Sequence, residues 1–238
     1  MIAIFKRDFI GYFTSAIGYV YIGSYILVLN LMFYLENMLG SNSSVSSLFG
    51  FMLLIMMFIT PILTMRVFSE EFKLKTDQAL YTLPVKLTSV VLGKFMSSMA
   101  VFACLLILTL LWPLTVSVLG EVNTAEMVGN YVGILCIGAA YISIGIFISS
   151  ATENQVVAAV GTLGVFVALY ILEYIALIFY SGAVLPSWIM RVLLFTSIYG
   201  RYTEITQGLL ALDGIIFFLS VSAVFLFLTV RRLEKRKL

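Results

Sequence analysis

Six apolar stretches of about twenty residues, each bounded by polar or charged residues, limit what this chain can become. A helix needs about 20 residues to cross about 30 Å of hydrocarbon. Runs of this kind lie at 16–35, 48–67, 95–119, 127–149, 156–180 and 209–230. In lipid every backbone N–H and C=O must be satisfied within the protein, which makes helices of such runs. The sequence therefore predicts an all-α membrane protein, a six-helix bundle forming one transmembrane domain over 1–238. Composition points the same way. Hydrophobic residues make up 62% and charged residues 11%, whereas soluble domains carry about 25% charge.

The first fifteen residues are amphipathic. At helical period Ile2, Phe5, Phe9, Tyr12 and Phe13, with Ala16 beyond, share one face, and Arg7, Asp8, Gly11, Thr14 and Ser15 lie largely opposite. A helix of that pattern lies in the membrane interface rather than across it. A signal peptide would also place Lys6-Arg7 before an apolar run. Here, however, the run has full spanning length and no small-residue cleavage site follows. The segment 183–199 is apolar but short and carries Pro186, Trp188 and Arg191. It reads as a re-entrant hairpin or a surface helix before span 6, which is tolerated where backbone packs on protein.

Charge sets the expected orientation. Six spans put Lys6 and Arg7, the loop residues Arg66, Lys73, Lys75, Lys86 and Lys94, and the five basic residues of the tail 231–238 on one side. That is twelve of fourteen, with only Arg191 and Arg201 on the other side. The excess of Lys and Arg marks the cytoplasmic face. Both termini and the 68–94 region are thus expected in the cytoplasm.

Chemistry is constrained by what is missing. The sequence has no histidine, the commonest general base and metal ligand. Cys104 and Cys136 both fall in apolar runs, which argues against a disulfide framework or a Cys-based metal site. Gly93-Lys94 lacks the upstream glycine of a phosphate-binding loop, and Phe95 follows where Ser or Thr is needed. No catalytic residues, metal site or cofactor are expected, and nothing calls for a nucleic-acid partner. Energy for any active process must come from a partner or an ion gradient.

The one long polar interruption with mixed charge runs from Thr60 to Lys94. Pro61 allows a kink near the end of the second span. Arg66 marks the interface, and Ser69 to Lys75 can continue as a helix into water. Thr76 can cap a second short helix, with Asp77 in its favourable first turn. Leu80, Tyr81 and Leu83 would give that helix an apolar face before Pro84 stops it. A short capped helix with an apolar face, framed by charge, can seat in a groove on another protein. Ordinary anchoring charges are the alternative reading of the same residues.

Three weaker features complete the pattern. The turn 151–155 carries one charge, Glu153, and is either a minor docking contact or a tight turn. The tail RRLEKRKL is either a topology anchor or a contact to anionic lipid. Glu173 is the one acid well inside a span. Such groups face protein or a water-filled cavity, so it lines a path or makes an interhelix hydrogen bond. Gly133, Gly138, Gly145, Gly161 and Gly164 suggest close helix contacts.

The stretch LTMRVFSEEFKLKTDQALYTLPVKLTSVVLGKF at 63–95 resembles the second cytoplasmic region of ABC exporter permeases of the type V, ABCG-like class. Within that class it is most similar to the gliding-motility GldF and nitrous-oxide-cluster NosY group. KRDFIGYFTSAIGYVYIG, SSATENQVVAA and GLLALDGIIFFLSVSAVFLFLTVRRLE resemble further segments of the same group in matching order, covering nearly the whole chain. Two departures stand out: Lys75 where the family often has Gly, and Gln78 where it often has Glu.

The resemblance implies a permease subunit of a bacterial ABC transporter, an exporter or a force-transmitting complex, in the cytoplasmic (inner) membrane. It implies a coupling helix between spans 2 and 3, with Arg66, Glu70, Glu71, Lys73, Thr76, Asp77, Leu80, Tyr81, Pro84 and Glu153 facing the ATPase. It implies a cytoplasmic ABC ATPase dimer that binds ATP and Mg, so that this chain is not itself an enzyme. A second transmembrane subunit is also implied, either the same chain or a GldG-like protein with an extracytoplasmic domain. Two other readings stay open from the residues alone: a non-transporting scaffold that recruits a cytoplasmic protein, and a proton-coupled carrier using Glu173.

Overall fold

A computed structural model describes residues 1–39, 46–76, 86–119, 124–182, 200–202 and 212–237. The segment 183–199, read above as re-entrant, and the second short helix after Thr76 lie outside the described residues. The described residues are helical with no strand, and six helices are long and apolar enough to cross a membrane.

Helix α1 (Ile2–Thr14) ends at Ser15, whose extended backbone (φ −99, ψ 162) turns the chain into α2 (Ala16–Phe33). The corner is close: a Cβ at Gly18 would lie 2.7 Å from the Tyr12 carbonyl oxygen. Along α1 Phe5 stacks on Phe9, which meets Phe13 edge to face, while Asp8 and Tyr12, one turn apart, turn inward. Helix α2 runs on through a π-helical turn, Tyr34–Leu39.

Helix α3 (Ser46–Thr64) continues through Pro61, and α4 (Ser69–Lys73) follows after a turn. Helix α5 (Leu87–Thr109) opens on Lys86, eight residues before the apolar run suggests. Lys94 therefore sits two turns inside a helix. Helix α6 (Leu111–Leu119) is offset from α5 at Leu110, because Pro113 has no N–H for the carbonyl of Thr109 and its ring crowds it. Helices α7 (Thr124–Ser149), α8 (Gln155–Gly182) and α9 (Leu212–Lys237) complete the bundle. The basic tail is not a separate segment: α9 stays helical through Lys237.

The core lies between α3 and α7, the two most buried spans. Helix α7 packs on α9, α3, α5 and α8. Its glycines make this possible: a Cβ at Gly138 would run into the Phe102 ring of α5, and one at Gly145 into Thr64 of α3. Small residues at such positions allow the backbones to approach. Gly164 behaves differently and faces open space. Polar side chains pin the helices at intervals. The Tyr25 hydroxyl donates to the Met52 carbonyl at 2.6 Å, and the Trp112 indole N–H to Asn30 at 2.7 Å. The Tyr202 hydroxyl donates to Asn130 at 2.7 Å.

Candidate functional site

Arg7 of α1 pairs with Glu71 of α4, and Arg236 of α9 with Glu153, so both termini lie at the same end of the bundle. At that end the polar residues of five helices gather into one junction. It is built around the corner where α3 gives way to α4. Ser149, fully buried at the end of α7, holds the corner. Its hydroxyl accepts from the backbone N–H of Phe68 (3.1 Å) and Ser69 (3.2 Å) and donates to the Met65 carbonyl (3.0 Å). Groups that would be orphans at the end of α3 and the start of α4 are thereby satisfied.

Lys94 is the hub. Its side chain is only 5% exposed. Its ammonium donates to the Val67 carbonyl at 2.8 Å and lies 2.9 Å from Glu71 Oε1 and 3.3 Å from Asp8 Oδ2. It also stands 5.1 Å above the centre of the Phe68 ring. Arg7 reaches the same Glu71 oxygen at 2.8 Å and Asp8 Oδ1 at 2.7 Å. Two acids and two cations thus lock α1, α4 and α5 together. The hydrogen bond to Asp8 raises the Arg7 pKa above its already high ordinary value, so it stays charged. Just inside, the Tyr12 hydroxyl donates to the Leu63 carbonyl at 3.1 Å and lies 2.9 Å from Ser98 Oγ. Burial pushes the Tyr12 phenol well above its ordinary value, which keeps that proton in place. A cavity of about 290 Å³ opens among α1, the α3–α4 corner and α5, lined by both ion pairs.

The predicted site residues divide between this junction and the surface. Arg66 is half-buried and grips Glu70 with two nitrogens, Nη2 to Oε1 at 2.6 Å. Glu71 belongs to the Lys94 cluster. Glu70 and Glu71 are thus both engaged inside the chain. Lys73 and Thr76 are exposed. Asp77, Leu80, Tyr81 and Pro84 lie outside the described residues. Glu153 is 63% exposed and pairs with Arg236 at 2.6 Å. Glu173 is buried (9% exposed) far along α8 and accepts from the backbone N–H of Gly200 at 2.8 Å.

Helix α4 ends in a way that explains one departure from the family pattern. The N–H of Lys75 bonds the Phe72 carbonyl at 3.2 Å and that of Thr76 the Glu71 carbonyl at 3.0 Å. These two bonds form a Schellman closure, which needs a left-handed residue. Lys75 supplies it at φ 55. A glycine would take that conformation without steric cost. Sequence reasoning missed Asp8, Lys94 and Ser149 as junction residues. Lys94 falls at the end of the loop in the sequence reading, because the apolar run starts only at Phe95, and the structure is what puts it two turns inside a helix. A serine ending a span carries no signal.

Among the described residues no three Cys, Asp or Glu side chains gather to hold a metal ion. What the junction can do is mechanical. A force applied to α4 reaches α1 and α5 through short ionic contacts and α7 through Ser149.

Fold and site together define a class: a multi-pass, all-helical membrane protein with a cross-linked polar junction at the end that carries both termini. The chain belongs to the ABC-2 family transporter proteins, whose family model matches residues 7–238. It is a membrane-embedded permease component of an ABC transporter, and that membership implies a cytoplasmic ABC ATPase partner. No curated protein matches the sequence significantly.

Proposed function

We propose that this chain is the permease of a type V, GldF/NosY-like complex in the bacterial cytoplasmic membrane, with both termini cytoplasmic. It couples ATP hydrolysis by a separate ATPase dimer to export or to force transmission. A second transmembrane subunit, either another copy or a GldG-like protein with an extracytoplasmic domain, completes the membrane part. The observation that carries the reading is the tip of α4. Leu74 is 63% exposed there, flanked by exposed Lys73 and Lys75, on a helix braced from behind by Lys94, Arg7 and Ser149. An apolar side chain ringed by charge on a rigid mount suits a groove on another protein. Thr76 is exposed beside it, and Glu153 lies on the nearby turn; Asp77, Leu80, Tyr81 and Pro84 follow in sequence and are assigned to docking by the resemblance alone.

The test is co-purification in mild detergent with identification of every subunit, followed by ATPase turnover in liposomes. Leu74→Ala, Leu80→Ala and Tyr81→Ala are each expected to weaken ATPase association about 30-fold, since anchors of this kind contribute about 2 kcal/mol each. Insertion and folding of the permease should be unaffected. Unchanged association and turnover would place the docking surface elsewhere. Reversal of Glu71 is not a clean probe, because it also breaks the Lys94 cluster.

A further inference from the structure

The last turns of α9 are largely exposed, but one face of them is fastened to α4 and the α7–α8 turn. Arg236 lies with its guanidinium 3.9 Å from the centre of the Phe72 ring, and Phe72 is the buried aromatic side chain of α4, 3% exposed. The same guanidinium reaches Glu153 in the α7–α8 turn at 2.6 Å. One turn back, Arg232 donates to the carbonyls of Ser150 (3.2 Å) and Ala151 (3.3 Å), where α7 ends. Cations at a helix C-terminus are favourably placed against its dipole. Between them Leu233 is buried, 2% exposed. The side chains of one helix face, Arg232, Leu233 and Arg236, therefore all point into the junction.

A basic tail that only fixed topology would need charge but no particular partners. Here the arrangement depends on position. Lys235 and its neighbour Arg236 are both exposed, so a lipid-facing or anchoring role would treat the two alike, yet it is Arg236 that meets Phe72 and Glu153. A flat guanidinium over an aromatic ring gains from both stacking and cation–π attraction, which a mobile ammonium shares only in part.

We propose that the end of α9 clamps α4, with Arg236 acting through Phe72 as a positioning residue for coupling. A protein docking on α4 then meets a surface of three parts: α4, the 151–154 turn and the last turns of α9. Displacement of α4 is carried into the final span as well as into α3 and α5. The clamp itself is a property of the permease alone, while its part in coupling rests on the function proposed above.

The test has two arms. In the first, hydrogen exchange of the 69–76 peptide is measured in full-length permease held in phosphatidylethanolamine–phosphatidylglycerol nanodiscs. Arg236→Ala should speed exchange about fivefold, because the local opening of α4 loses one restraint. Arg236→Lys should give an intermediate rate, and Lys235→Ala none of the effect. An unchanged rate in Arg236→Ala, or an equal change in Lys235→Ala, overturns the clamp. In the second arm, permease-dependent turnover of the co-purified ATPase is measured with the same variants. Turnover should fall in the order of the exchange effect, with subunit stoichiometry unchanged. Faster exchange with unaltered turnover overturns the role in coupling. An ATPase that ignores even the unsubstituted permease would overturn the proposed function, and the exchange arm would still decide the clamp.

Discussion

At the residue scale, the charges that look alike in the sequence do very different work. Lys73, Lys75 and Lys94 all sit in one mixed-charge stretch, yet only Lys94 is buried, against Asp8 and Glu71. Exposed pairs contribute about 0–1 kcal/mol, while removing one partner of a buried pair costs about 3–5 kcal/mol. Lys94→Met should therefore lower stability in detergent by about 3 kcal/mol, and Lys73→Met should change it little. Equal effects would show that the Lys94 cluster is solvated. Lys75 makes the opposite case. It holds a left-handed conformation that costs a side-chain-bearing residue about 1 kcal/mol. Lys75→Gly should raise the stability of α4, read as slower hydrogen exchange of the Leu74–Thr76 amides, and faster exchange would refute the strain. Glu173 accepts from Gly200, so Glu173→Gln, which keeps an acceptor, should be mild and Glu173→Leu worse. Near-wild-type folding and activity in both would leave the carboxylate without a role.

At the scale of elements, the bundle is set by how closely α7 approaches its neighbours. Gly138 meets Phe102 and Gly145 meets Thr64 across two different interfaces. Forcing a branched side chain into such a contact costs about 1–3 kcal/mol. Gly145→Val should thus lower thermal stability in detergent, while Gly164→Val, at a position facing open space, should not. Loss of stability at both positions would mean that the α3–α7 contact is not special. Helix α4 shows how little of a short element's stability is its own. Five residues are too few for an isolated helix in water. Its neighbours hold it instead: Ser149 beneath, Glu71 bonded to α1 and α5, and Arg236 over Phe72.

At the scale of the whole molecule, the termini and α4 share one end of the bundle, and the basic residues of the described chain concentrate there. By the positive-inside tendency, this is the end we propose to face the cytoplasm. A single thiol introduced by Thr76→Cys, with Cys104 and Cys136 replaced by serine, should react with an impermeant reagent only after permeabilisation. One introduced by Met38→Cys, past the far end of α2, should react in intact cells. Labelling of position 76 from outside would invert the topology and with it the proposed docking to a cytoplasmic ATPase.

Much of this was legible in the linear sequence because the bilayer enforces it. The need to satisfy backbone groups in hydrocarbon makes helices of long apolar runs wherever they pack, so the six spans, the all-α class and the amphipathic α1 follow from residue order alone. The polar stretch after Thr60 was equally visible, although its residues up to Phe72 are buried or half-buried and exposure begins at Lys73. The identity of the residues facing inward was not. Asp8, Glu71 and Lys94 are far apart in sequence, and only the packing of α1 and α4 against α5 brings their charges within hydrogen-bonding distance. Ser149 and Arg236 are ordinary at their positions until α7 and α9 carry them to the α3–α4 corner. Burial, not residue type, turns a loop charge into a structural hub, because desolvation makes an ion depend on its partners, and burial is settled only when the helices have packed.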